Sequence, residues 1–136
     1  MHVSTTPLGE LATTALGRRV LVHLGHSLPF GVRGLAYFDR AGCPVIELHP
    51  TIFEAKDAHE LGRVFWHELG HVKLGHVSEA RPRPLGPVTV AELDYSTKYA
   101  TETQAGQTLE AQADAFSLAM RRRYSDADLW ALCVVE

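Results

Sequence analysis

"HELGRVFWHELGH" (residues 59–71) carries the same four letters twice, eight positions apart. The first copy runs on into Arg63 and the second into His71. The surrounding pattern predicts one helix from about Ala55 to about Leu74, with Gly75 as its terminator. On a helix, residues four apart differ by about 40° in azimuth and one turn in height. His67 and His71 therefore project from one face and can reach one ion. Glu68 lies about 100° round from His67, which sets a carboxylate beside a metal rather than on it. The first copy cannot do this. Arg63 stands where its second histidine would be, and a guanidinium does not ligate metals. His59 is two turns from His67, so His59 and Glu60 read as surface or helix-start residues.

A zinc ion held by His67 and His71 needs a third protein ligand and an open fourth position for catalysis. His76 lies on the opposite side of a continuous helix. It can join only by folding back after Gly75, and it reads better as a second-shell or structural residue. The metzincin spacing is excluded, because Leu74 and Val77 occupy its glycine and histidine positions. "LEAQADAF" (residues 109–116) offers a better ligand. Glu110 and Asp114 share one face of a predicted helix over roughly 103–123. Glu110 can ligate, and Asp114 can accept a hydrogen bond from the far nitrogen of a ligating histidine. Ala111, Ala113 and Ala115 permit close helix packing.

Elsewhere the chain reads as α+β. Thr5, Thr6 and Pro7 predict a helix start. Leu8, Leu11, Ala15 and Val22 form the face of a helix that ends near Gly25. "VRGLAYF", "DRAG" and "CPVIEL" predict a hairpin, and Pro44 suggests that its second strand lies at a sheet edge. Residues 77–100 read as a variable loop, Pro-rich at first, with a short helical piece near "VAELDY". Ser125, followed three residues on by Asp128, predicts a cap for a final short helix.

The 136 residues fit a single domain, and 46% hydrophobic residues suffice for a core. A formal charge of −3 gives no reason to expect nucleic-acid binding. Cys43 and Cys133, far apart in sequence, form no disulfide framework or zinc knuckle, so a reducing, cytoplasmic setting is expected. No signal peptide is expected, and no stretch approaches the roughly 18 apolar residues of a membrane span.

"FWHELGHVKLGH" followed by "LEAQADAF" resembles the ImmA/IrrE family of bacterial and phage metallopeptidases. The motif-level likeness covers residues 67–76 and 110–116. It implies a small zincin-like domain: N-terminal helix, short sheet, HExxH helix and a following glutamate-bearing helix. His67, His71 and Glu110 would hold one Zn2+ per chain, and Glu68 would be catalytic. The resemblance further implies a specific cut in a protein partner such as a helix-turn-helix transcriptional repressor. Pro44, Val45, Ile46, Glu47 and Leu48 would form the strand along which substrate binds. For the oxyanion, Tyr95, Tyr99 and His76 are all candidates. The oligomeric state stays open. Two other readings remain at this stage. One is a binding module, for instance half of a toxin–antitoxin pair, with a structural zinc whose sphere His76 closes. The other is a metal-free α+β domain with core histidines.

Overall fold

The computed structural model describes residues 1–29, 31–77 and 104–136. Residues 78–100 of the loop predicted over 77–100, with the helical piece near "VAELDY" and Tyr95 and Tyr99, lie outside the described residues. Helix α1 spans Thr6–Leu16, with Pro7 in its first turn. It stops where Gly17 adopts a left-handed φ of 81° and donates its N–H to the Thr13 carbonyl. This is earlier than the helical spacing of Leu8, Leu11, Ala15 and Val22 suggests. Val22 belongs instead to strand β2, Leu21–Leu24. In "VLVHL", Val20 and Val22 are buried two positions apart, a strand period that also fits the tail of a helical one. The Thr13 hydroxyl oxygen accepts the Val20 N–H at 2.9 Å and ties the incoming strand to α1.

Strands β3 (Gly34–Phe38) and β4 (Pro44–Leu48) form the predicted antiparallel hairpin, with Phe38 opposite Pro44 and Gly34 opposite Leu48. Asp39 Oδ1 accepts the N–H groups of Ala41 and Cys43 to shape the turn. The expected edge position of β4 is corrected by the sheet order, β2-β4-β3. β4 is the central strand, parallel to β2 and antiparallel to β3. Pro44 is compatible with this because it occupies the first residue of the strand, where the absent N–H interrupts no ladder. Val45, Ile46, Glu47 and Leu48 thus have strands on both sides and cannot accept a further one, and Pro44 leads into β4 opposite Phe38.

A single helical turn, α2 (Thr51–Glu54), follows and is separated from the next helix by Lys56 at φ 52°. Helix α3 therefore begins at Ala58 rather than Ala55, where Asp57 accepts the N–H of Glu60, and it runs to Lys73. Gly75, at φ 75°, turns the chain away. Helix α4 covers Gln104–Arg123 and α5 covers Asp126–Cys133. The Ser125 side chain caps α5 by accepting the Asp128 N–H, as predicted. A two-residue β5 (Val134–Val135) pairs antiparallel with β1 (His2–Val3).

The architecture is mixed α+β. Helix α3 packs against α4, α5 and the sheet, while α1 packs against β2 and α5. Phe65, Trp66, Leu61 and Leu69 on α3 are fully buried, as are Ile46 and Leu48 from β4 and Leu129 from α5. Burial of each such side chain contributes about 1.5–3 kcal/mol. Helix α3, which carries the histidines, is therefore the most firmly embedded element. Among the described residues no helix is long and apolar enough to cross a membrane.

Candidate metal centre

Helix α4 lies close against α3 because the contact uses small groups. A Cβ added at Gly70 would fall 3.0 Å from Phe116 Cδ1 and 3.3 Å from Phe116 Cβ. Ala113 is fully buried in α4. Ser117, 2% exposed, donates its hydroxyl to the Arg63 carbonyl at 3.1 Å. These contacts bring Glu110 over the face that carries His67 and His71.

Three donor atoms or groups then converge. The Nε2 atoms of His67 and His71 are 3.0 Å apart. Glu110 reaches His67 Nε2 with Oε2 at 3.0 Å and His71 Nε2 with Oε1 at 3.1 Å. Zinc bonds of 2.0–2.1 Å with tetrahedral angles separate ligand atoms by about 3.3 Å. Each of these contacts is within a few tenths of an ångström of that spacing, the two to Glu110 being made by its two different oxygens, and two imidazoles with one carboxylate suit a divalent metal such as zinc. Among the described residues, His67, His71 and Glu110 are the group of His, Cys, Asp or Glu side chains whose donor atoms gather in this way. The histidine rings are well covered, at 12% and 14% exposure, whereas Glu110 at 38% leaves its side open.

The outward nitrogens are also engaged. His67 Nδ1 lies 2.7 Å from Asp114 Oδ1, the role predicted for Asp114. His71 Nδ1 lies 3.0 Å from Nδ1 of His76, whose Nε2 lies 2.9 Å from Gln112 Oε1. His76 has folded back, yet it meets the outer face of His71 rather than the inward triangle. Gln112 was not legible in the sequence. It lies between Glu110 and Asp114 in number but on a different side of an ideal helix, so spacing alone gives no reason to pair it with His76.

Electrostatics follow this geometry. Hydrogen bonds from His67 and His71 hold the Glu110 carboxyl far below the usual carboxylate range. Burial works to lower the His67 pKa, but the hydrogen bond to Glu110 and the fields of Glu68, Glu110 and Asp114 together raise it. Burial pushes the Glu68 carboxyl up, partly opposed by the two histidines, and no described residue donates a hydrogen bond to it.

Glu68 faces the start of β3. A Cβ at Gly34 would fall 2.5 Å from Val64 Cγ1 and 3.1 Å from Glu68 Cγ, so a bare backbone passes the carboxylate here. Among the described residues the far edge of β3 has no strand partner. The sheet edge beside Glu68 is therefore that of β3, not β4.

The first HELG has a different role. His59 is 71% exposed, its Nδ1 2.7 Å from Arg121 Nη2 and 3.5 Å from Asp126 Oδ2. Glu60 pairs with Arg63 through two contacts of 2.6 and 3.0 Å. What the two copies share is packing. Leu61 and Leu69 are both fully buried, and Gly62 and Gly70 each sit where another segment crosses, Asp126 at one and Phe116 at the other.

Comparison of the chain with protein families, curated proteins and solved structures finds no match.

Proposed function

We propose that the chain is a zinc-dependent endopeptidase of the ImmA/IrrE type, making a specific cut in a partner protein such as a helix-turn-helix repressor. The observation that carries this reading is the convergence of His67, His71 and Glu110 with the buried carboxylate of Glu68 beside them. Bound zinc would acidify a water and polarise the scissile carbonyl.

The remaining work falls to the chain's own groups. Burial has raised the proton affinity of Glu68, which suits it to take a proton at a carboxylate oxygen and release it to the departing amine. Among the described residues no strand pairs with the outer edge of β3, whose backbone could take up an extended peptide, and Gly34 lets that strand approach Glu68 closely. His76 is turned to the outer nitrogen of His71, which leaves the fourth position without a protein ligand among the described residues. That favours catalysis over a closed structural site. The repressor as target rests on the motif resemblance.

Glu68→Gln keeps the size of the side chain and removes the base. It should bind zinc as the wild type does and lose cleavage of the partner by at least a hundredfold, within the range expected of a general base. Cleavage at the wild-type rate by the zinc-loaded variant would contradict the proposal.

A further inference from the structure

We propose that His76, itself held by Gln112, is a positioning residue that fixes the ring of His71 with Nε2 aimed at the metal. The inference rests on the metal-centre reading above and assigns a chain of groups outside the ligand set.

The polarity of this chain can be followed from the protein surface inward. A carboxamide oxygen only accepts hydrogen bonds. Gln112 Oε1, 2.9 Å from His76 Nε2, therefore calls for a proton on that nitrogen. A neutral imidazole carries one N–H, so His76 Nδ1 is left bare. Two ring nitrogens 3.0 Å apart form a hydrogen bond only when one has the proton and the other lacks it. His71 Nδ1 must then be the donor; its Nε2, which lies 3.1 Å from Glu110 Oε1 and gives that oxygen a hydrogen bond in the metal-free protein, is the nitrogen left to present its lone pair once a metal is bound. The exposed amide of Gln112 on α4 thereby selects the metal-binding tautomer of His71.

The backbone is built for this arrangement. Gly75 at φ 75° reverses the chain one residue before His76, a conformation that other residues adopt only with strain. The His76 N–H then donates to the His71 carbonyl at 2.8 Å, so His76 is tied to His71 through both backbone and ring. His67 receives its orientation from Asp114, also on α4. Helix α4 thus supplies a ligand, a carboxylate for one histidine and the end of a relay for the other.

The test is zinc affinity, measured by competition with a chromophoric chelator, with zinc stoichiometry read by elemental analysis. The full chain is compared with His76→Leu, His76→Asn, Gln112→Leu and Gln112→Glu. All should hold one zinc at saturation. His76→Leu should bind roughly 10–100-fold more weakly, the range expected when a group orienting a ligand is lost. His76→Asn should recover most of that loss, because its amide oxygen can accept from His71 Nδ1–H, whereas a role in packing alone would favour leucine. Gln112→Leu should weaken binding by a smaller factor, and Gln112→Glu, still an acceptor, should not.

Wild-type affinity in His76→Leu, or equal affinities for leucine and asparagine, would overturn the proposal. So would loss of zinc from His76→Leu at saturation, which would make His76 a ligand. If circular dichroism finds His76→Leu unfolded, the Gln112 pair on the exposed helix face decides, and equal affinities there overturn the relay. A wild-type chain that takes up no zinc would instead refute the metal centre itself.

Discussion

Gly70 shows how one missing side chain governs the site. It follows Leu69 inside the motif, and its hydrogen faces Phe116 of α4. Intrinsic helix propensity favours Gly70→Ala by about 1 kcal/mol. The contact opposes it, since an added methyl would press on an aromatic ring at 3.0–3.3 Å, and overpacking of this kind costs about 1–3 kcal/mol. The contact should win. Gly70→Ala is expected to lower the melting temperature and also weaken zinc binding, because α4 carries Glu110. Calorimetry with a zinc titration checks both, and a stabilised variant with unchanged affinity would refute the packing argument. At this scale the site was largely legible. His67, Glu68 and His71 follow from helical geometry, and Glu110 with Asp114 from a four-residue spacing that follows the HExxH helix and is interleaved with small alanines. Gln112 and Gly34 were not, because their roles depend on how α4 and β3 lie against α3, which no local spacing encodes.

Among the elements, α5 is fastened to the end of α4 by a bidentate ion pair. Arg121 Nε and Nη2 donate to Asp126 Oδ1 and Oδ2 at 3.0 and 2.8 Å, with His59 at the rim. Both partners are largely but not wholly shielded, so a value below that of a buried pair applies. Asp126→Ala should destabilise the fold by about 1–2 kcal/mol and leave zinc affinity unchanged, as read by urea unfolding and chelator competition. A large loss of zinc affinity would mean that α5, not α4, sets the geometry of the centre. The helices and the hairpin were legible because caps and turn residues mark them: Pro7 and Ser125 at helix starts, Gly75 at a helix end, Asp39 and Gly42 in the turn. The Asp57 cap of α3 is not among the signals read, and the predicted start of that helix falls three residues early. The errors fall where two periods coincide or where pairing is non-local. Val20 and Val22 fit a helix face as well as a strand face. The central place of β4 depends on β2 joining it in parallel past the intervening β3, and a proline at the first strand position mimics an edge. The β1–β5 ladder is too short to carry any pattern.

For the molecule as a whole, the centre links stability to pH in opposite directions with and without metal. In the metal-free protein the folded-state pKa of Glu110 is lowered, chiefly by hydrogen bonds from His67 and His71. Its contribution is present above the unfolded carboxylate pKa and is lost as pH falls through the folded value. The pKa of His67 is raised, so its contribution is full below the unfolded histidine value and fades as pH rises through the folded one. The two overlap between roughly pH 4.3 and 6.5, the unperturbed carboxylate and imidazole values. The metal-free chain should therefore show its highest melting temperature in that interval. Zinc needs both histidines deprotonated, so its added stabilisation should grow with rising pH, reaching about 2.7 kcal/mol at a free zinc concentration one hundred times Kd. Melting curves across pH with chelator or with zinc test this, and parallel profiles would contradict it.

The central claim is that His67, His71 and Glu110 together hold one metal ion. Zinc content by elemental analysis tests it most directly, on the purified wild type supplied with zinc and on His67→Ala, His71→Ala and Glu110→Ala treated alike. The account predicts one zinc per chain in the wild type and none retained in any of the three variants. A wild type that stays empty, or a Glu110→Ala protein that keeps its full zinc, would contradict it.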